Sequence, residues 1–300
     1  MMGSKTWTIH KLLKVTADYL REKEIESPRL SAEILLAFLL NTTRINLYLQ
    51  FDRPLKEEEI TGYRSLIRRR LSREPIQYIT GSQEFWSIEF IVGPQVLIPR
   101  PESELLVEQV IDLFKKEKIP EAGCPRILDL GTGCGALAVS LSMELKNASL
   151  WASDISGEAL KVAQKNAERY GLKERIVFIQ GDLLQTFRHY PPPFDIILSN
   201  PPYIESDVFG SLSPEVRDHE PRLALDGRAG GLFYIKEIAR EGVKILKPGG
   251  WLLMEMDPGQ TSRALGFIDE SGQFCDKKRV KDYSHRYRVV MAQKGHGEDI

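Results

Sequence analysis

Cysteine is scarce: three occur in 300 residues, Cys124, Cys134 and Cys275, with no C-x-x-C pair. An odd number at these spacings builds neither a disulfide framework nor a zinc site, so a reducing, cytoplasmic setting and no metal are expected. Long apolar runs are missing too. The longest, Ile34 to Leu40, has seven residues, against roughly 20 for a bilayer span. The first residues show no export-type apolar segment, so neither membrane insertion nor export is expected. The five histidines show no ligand spacing, and there is no internal repeat or low-complexity stretch. Nor is there a charge excess of either sign. Lys and Arg number 41 against 42 Asp and Glu, net −1, too balanced for a broad basic surface holding nucleic acid, and direct nucleic-acid binding is not expected.

What is present is the composition of a globular chain, 42% hydrophobic and 28% charged, long enough at roughly 150 residues per domain for two domains. Its charge is uneven. Residues 1 to 80 carry 14 basic and 10 acidic side chains, net +4, and the remainder is net −5, so the two parts face different partners. A monomer is expected. Ile9, Leu12, Leu13, Thr16, Tyr19 and Leu20 recur at helical spacing, as do Leu30, Ile34, Leu35, Phe38 and Leu39. Ser27-Pro28 suits a helix start, the hydroxyl as cap and the proline in the first turn. Asn46 to Leu49 and Leu55 to Leu71 read as further helices, the latter with Ile60, Tyr63, Leu66, Ile67 and Leu71 on one face. Residues 1–75 thus form a small helical bundle. Residues 76–98, with Gln77 to Ile79, Glu84 to Ser87 and Ile88 to Val92 extended, form a β-hairpin or linker.

From 99 to 300 the pattern changes. A helix over Ser103 to Lys118 precedes short apolar strands alternating with helices: Arg126 to Leu130, Ser149 to Ser153, Ile176 to Gln180, Phe194 to Ser199. A helix near Leu232 to Leu246, a Lys247-Pro248-Gly249-Gly250 turn, a strand Trp251 to Glu255 and a β-rich run Tyr287 to Ala292 follow. Such alternation specifies an α/β domain with a parallel sheet and right-handed crossovers.

Leu128-Asp129-Leu130-Gly131-Thr132-Gly133-Cys134-Gly135 is a buried strand running through alternating glycines into a helix, where backbone approaches a ligand closely and free N–H groups are available. The spacing G-x-G-x-G differs from the G-x-G-x-x-G of dinucleotide sites. Asp154 closes the next strand, 23 residues after Gly131; it reads either as an acceptor for a ribose diol or as a cap of the helix near Gly157. Asp182-Leu183 follow the third strand, either flanking an adenine or forming a turn. After the fourth strand comes Asn200-Pro201-Pro202-Tyr203. Two prolines remove N–H donors, so a planar NH2 can donate to the Asn200 oxygen and the Pro201 carbonyl with Tyr203 on its face.

The glycine loop with its acids resembles the class I S-adenosylmethionine-dependent methyltransferase fold, Rossmann-like with a mostly parallel seven-stranded sheet, and Asn200 to Tyr203 resemble the motif of enzymes methylating planar nitrogens. With Glu74-Pro75-Ile76-Gln77-Tyr78-Ile79, Glu84-Phe85-Trp86 and Leu97-Ile98-Pro99-Arg100-Pro101-Glu102-Ser103-Glu104, nearly the whole chain resembles the peptide chain release factor N(5)-glutamine methyltransferases, the HemK/PrmC family. The segment Asp282 to Val290 keeps the general form of the family's tail but varies inside it. The resemblance implies methyl transfer to the glutamine amide of the Gly-Gly-Gln loop of class-1 release factors, with S-adenosylmethionine becoming S-adenosylhomocysteine. It places Gly131, Thr132, Gly133, Cys134 and Gly135 along the methionine part, Asp154 on the ribose, Asp182 and Leu183 at adenine, and Asn200, Pro201, Pro202 and Tyr203 on the glutamine amide. It also gives Phe85 and the Arg100 to Glu104 segment, with Arg100 and Glu102 as substrate contacts, to the same pocket.

Three other readings stand beside it. An N6-adenine nucleic-acid methyltransferase offers the same planar NH2, but residues 81 to 300 lack a basic target-reading segment. A glutamine methyltransferase acting on a ribosomal protein differs through the N-terminal domain, and a scaffold without catalysis has no physical need of Asn200, Asp154 and the glycines together. Arg68-Arg69-Arg70 with Arg73 read as a group able to meet an acidic partner surface or as a solvated helix face. Glu57 to Glu59, in a first helical turn, need no function beyond the helix dipole.

Overall fold

The structure, a computed structural model, describes residues 7–119, 123–187 and 193–296; the ends of the two expected domains at 1–6 and 297–300 lie outside the described residues. The chain divides into a helical unit running through Ser82 together with Ser213–His219, and an α/β unit of Gln83–Leu212 and Glu220 onward.

In the helical unit α1 (Ile9–Glu22), α2 (Pro28–Leu39), α3 (Arg44–Leu49), α4 (Glu57–Leu71) and α5 (Ile76–Thr80) surround a core that includes Leu13, Leu20, Leu35, Leu36 and Tyr63. The Tyr63 hydroxyl, buried, donates to the Ala32 carbonyl at 2.9 Å, tying α4 to α2. Two expectations for α2 are corrected. Ser27 is left-handed at φ 47 and makes no side-chain cap, and the buried face is centred on Ala32, Leu35 and Leu36, while Leu30 and Phe38 are exposed. The shift follows from packing on α1 and α4, which carries Ser31 and Glu33 inward as well. Gln77 to Ile79 are helical, not extended: Pro75 opens α5 and Gly81, at φ 78, closes it, the usual proline-first, glycine-last punctuation of a helix. The basic cluster is largely spent internally. Buried Arg70 donates to Glu215 at 2.9 Å, Arg69 to Glu74 at 2.5 Å, and Arg73 to the Glu24 carbonyl at 2.9 Å, leaving Arg68 exposed. Glu59 accepts the Lys56 N–H at 2.8 Å, so the acidic first turn of α4 has a structural use.

From Gln83 the α/β unit runs through the rest of a hairpin, β1 (Ser82–Phe85) and β2 (Ile88–Ile91), then α6 (Glu104–Lys115). Next come β3 (Arg126–Leu130), α7 (Ala136–Glu144), β4 (Ser149–Asp154), α8 (Gly157–Arg169), β5 (Ile176–Gln180) and β6 (Phe194–Ser199). After the short α9 (Pro214–Arg217) of the helical unit follow α10 (Phe233–Ile245), β7 (Leu246–Glu255), α11 (Thr261–Glu270), β8 (Phe274–Lys281) and β9 (Tyr287–Lys294). The seven strands lie in the order β5-β4-β3-β6-β7-β9-β8. The first five are parallel and β9 runs antiparallel to both neighbours. The expected Lys247 to Gly250 turn sits inside β7 as a register shift: Phe194 pairs with Leu246 and Ile196 with Trp251. The central strands are apolar on both faces, as sheets covered by helices require; Leu128, Ile197, Leu252 and Met254 are fully buried.

The chain leaves β3 toward β4 on one side and returns to β6 on the other. Leu130 and Ser199 are partners across that pair, and the Ser199 hydroxyl donates to the Leu130 carbonyl at 2.7 Å. The sheet therefore reverses its direction of growth between β3 and β6, the place where open α/β sheets present a crevice to ligands.

Candidate functional site

Gly131 and Asn200 are the residues that follow paired Leu130 and Ser199, so the glycine loop and the proline motif emerge side by side. Between them opens a cleft of about 340 Å³, within the range of small-molecule sites. Gly131, Gly133, Asp154, Asp182, Leu183 and Asn200 all line it, and Pro202 borders it as well. Seven residues read from the sequence thus meet in one place.

Asp154 holds the loop. Its Oδ2 accepts the Gly133 N–H and its Oδ1 the Ser156 N–H, each at 2.9 Å. Burial raises its pKa, opposed by these N–H groups. The cap of α8 is Ser156, whose hydroxyl accepts the Ala159 N–H at 3.1 Å, so the alternative reading of Asp154 as that cap falls. Its carboxylate faces the cleft with lone pairs to spare, acceptor-only and suited to hydroxyl donors. Exposed Asp182 and half-buried Leu183 stand at the end of β5, opposite apolar Ile155 and Ala159.

Behind the loop lies a group the sequence reading left without a role. Asp129 is fully buried, accepting the Thr132 hydroxyl at 2.6 Å and the Ala138 N–H at 3.1 Å. Burial pushes its carboxyl up to about 7. This carboxyl ties the loop to the first turn of α7. An acid inside an apolar strand, two residues before the first glycine, is the signal that could have found it.

Several expected residues stand away from the cleft. Thr132 turns inward onto Asp129; Cys134 is buried, its carbonyl accepting the Asn166 Nδ2–H at 2.8 Å, and burial pushes its thiol up to about 12. Gly135 lies against Ala163 of α8. Phe85 is 1% exposed and packs edge-on against Phe90, so it belongs to the core, where an aromatic ring on a short hairpin is most easily buried. Arg100 donates to buried Glu220 at 2.5 Å, and Glu220 also accepts the Ile98 N–H; the pair fixes the segment entering α6. Glu102 is exposed, and Pro201 is buried. Tyr203 faces away from the cleft, its hydroxyl 3.5 Å from Glu255 Oε1 and its carbonyl accepting the Gln260 Nε2–H at 2.8 Å.

The opposite wall was not read from the sequence. Leu223, Ala224, Phe233 and Tyr234 line it, with the Arg228 guanidinium 3.8 Å from the Phe233 ring centroid. Gly231, in the same segment, lies so close that a Cβ there would be 2.2 Å from the Tyr203 carbonyl. The segment therefore presses on the proline motif from behind.

Two family models match, one described as the PrmC N-terminal domain over residues 11–81 and one as the methyltransferase small domain over 103–211. A release factor glutamine methyltransferase of Geobacter sulfurreducens is 41% identical over 289 residues, covering 96% of this chain and 98% of its own. One from Chlorobaculum tepidum is 39% identical over 297 residues, covering 98% and 100%. Among solved structures, the human METTL16 catalytic domain in complex with a MAT2A 3′UTR hairpin covers 94% of this chain and 91% of its own, with TM-score 0.58 and 15% identity. The N-terminal domain of human METTL16 in complex with SAH gives TM-score 0.53 at 16% identity, over 93% and 94%. At that identity the likeness is one of fold.

Proposed function

This chain belongs to the release factor glutamine methyltransferase family, and from that premise we propose that it methylates the side-chain amide nitrogen of glutamine in the Gly-Gly-Gln motif of class-1 release factors. The observation that carries this is the shared cleft of Gly131, Asp154 and Asn200 at the crevice between β3 and β6. S-adenosylmethionine supplies the methyl group when bound and leaves as S-adenosylhomocysteine. The residues present fit it: the Asp154 carboxylate offers acceptors for ribose hydroxyls, Ile155 and Leu183 offer apolar surface for a base, and Gly131 and Gly133 bring bare backbone to the cleft.

The amide nitrogen is a weak nucleophile because its lone pair is delocalised, so the protein's task is to hold it in line and close. Asn200 Oδ1 and the Pro201 carbonyl accept its two hydrogens, which favours pyramidal nitrogen as charge develops. Asn200 orients; it is not a base. The proton leaves late in the transfer or after it. The helical unit recognises the protein substrate, the enzyme acts as a monomer, and the reaction takes place in the cytoplasm. Among the described residues no helix is long and apolar enough to cross a membrane.

Tritiated methyl transfer to a purified class-1 release factor, with an adenine-containing duplex as competing acceptor, tests the reading. Label on the release factor alone is expected. Label on the duplex would replace the reading with nucleic-acid methylation.

A further inference from the structure

A buried carboxylate that the reaction above does not use lies directly behind the proline motif. Glu255 is the last residue of β7, one step beyond the Ser199–Met254 pair, and is 1% exposed. Its Oε2 has no hydrogen-bond partner among the described residues. Ser103, buried at the head of α6, lies beside Glu255, and the Tyr203 hydroxyl lies 3.5 Å from Oε1. Ser103 Oγ also accepts the Asn200 Nδ2–H at 3.0 Å.

We propose that Glu255, acting through Ser103, is the positioning group that fixes which end of the Asn200 carboxamide faces the cleft. A serine hydroxyl has one proton and two lone pairs, whereas a carboxylate only accepts. With its proton turned to the open acceptor of Glu255, Ser103 can only accept from Asn200, so the Asn200 NH2 end is engaged and Oδ1 is the free end. A substrate amide NH2 presents only hydrogens, so it is bound by Oδ1 and opposed by an NH2. A neutral Gln at 255 can itself donate to Ser103 Oγ. The serine proton is then free to point at Asn200, and the carboxamide can turn over. The inference rests on the glutamine-amide reading.

The test is steady-state methylation of a release factor by the full-length protein and by Glu255→Gln, Ser103→Ala and Ser103→Thr, with cofactor affinity and thermal unfolding of each. E255Q and S103A are expected to lose about ten- to a hundredfold in kcat, the scale of one mispaired buried polar group. KM for the release factor and cofactor affinity stay within about twofold, and S103T, which keeps the hydroxyl, restores most of the rate. A pH profile adds a readout that packing alone would not move. The titratable and charged groups around Glu255 are Tyr203, Glu102 ahead of α6 and Arg288 on β9, and burial lifts its carboxyl to about 7. Wild-type kcat should therefore fall on the acid side of that value, where the protonated carboxyl can donate as Gln does, and E255Q should lack this limb. Wild-type kcat in E255Q, or S103T as slow as S103A, overturns the inference. A wild-type protein that labels no release factor overturns the functional reading first, and this inference with it.

Discussion

Asp154 and Asn200 stand on one cleft yet are proposed to do different work, and the difference can be measured. Asp154 braces Gly133 and Ser156 and in the proposed reaction accepts from the ribose, whereas Asn200 is proposed to hold the acceptor amide. Asp154→Ala should weaken S-adenosylmethionine binding about ten- to a hundredfold in calorimetry, and unchanged affinity would leave it only the loop-bracing role. Asn200→Ala should leave that affinity nearly intact while lowering turnover about a hundredfold or more; equal losses of affinity and rate would remove its assignment as orienter. Both residues were legible in the sequence because parallel strands deliver their C-terminal ends to the same edge. Ser103 was legible only as part of the Arg100 to Glu104 segment and Glu255 not at all as a site residue, since nothing in their local sequence states that a turn before α6 and the end of β7 meet. Glu255 did leave one sign, an acid closing the apolar run Trp251 to Met254 beside the strand that carries the proline motif. Phe85 was misread for the complementary reason: an aromatic residue in a hairpin looks the same whether it fills a core or shapes a pocket.

At the scale of elements, the segment leading into α10 decides how firmly the proline motif is held. Gly231 at φ 65 occupies a left-handed conformation, and Gln260 Nε2 donates to the Tyr203 carbonyl at 2.8 Å just beside it. A Gly231→Ala methyl would meet both the carbonyl and that amide, at 2.2 and 2.4 Å. The variant should lose about 1–3 kcal/mol in denaturant unfolding and lose turnover beyond its change in cofactor affinity. Wild-type stability would show that the segment yields freely. The alternation of strands and helices from β3 to β6 could be read from hydrophobic pattern. α11 and β8 could not: β8 is an edge strand, exposed along Cys275 to Lys278 with three charged residues in that stretch, and charged edges suppress unwanted pairing at the cost of an apolar signature. α5 was missed because its five residues are too few for periodicity to speak, leaving only Pro75 and Gly81 as signs.

On the scale of the whole molecule, acid should weaken the helical unit through Glu33. Glu33 is 1% exposed and accepts from Arg29 at 2.5 Å and Arg44 at 2.8 Å, with the Tyr48 hydroxyl bonded to it as well. Burial pushes its carboxyl up, but Tyr48, Arg44 and Arg29 together hold it below the ordinary 4.5. A depressed folded value means that the unfolded chain binds the proton more readily, so the contribution is complete above about pH 4.5 and is lost as pH falls through the folded value. Unfolding curves from pH 6 to pH 3 should show this loss. Glu33→Gln should cost about 1–2 kcal/mol near neutrality, the arginines being half exposed and screened, and should flatten the acid limb. An unchanged limb would place acid sensitivity elsewhere. The sequence foretold a helical unit and an α/β unit, but not that Ser213–His219 joins the former, because Arg70 and Glu215 find each other only after folding.

The central claim is the acceptor atom, and fragmentation mass spectrometry of a class-1 release factor after methylation tests it most directly. One methyl group on the side-chain amide nitrogen of the glutamine in Gly-Gly-Gln, absent when that glutamine is alanine and absent with the Asn200→Ala enzyme, is the predicted result. A methyl group on any other residue, or one that persists in the Gly-Gly-Ala factor, would contradict it.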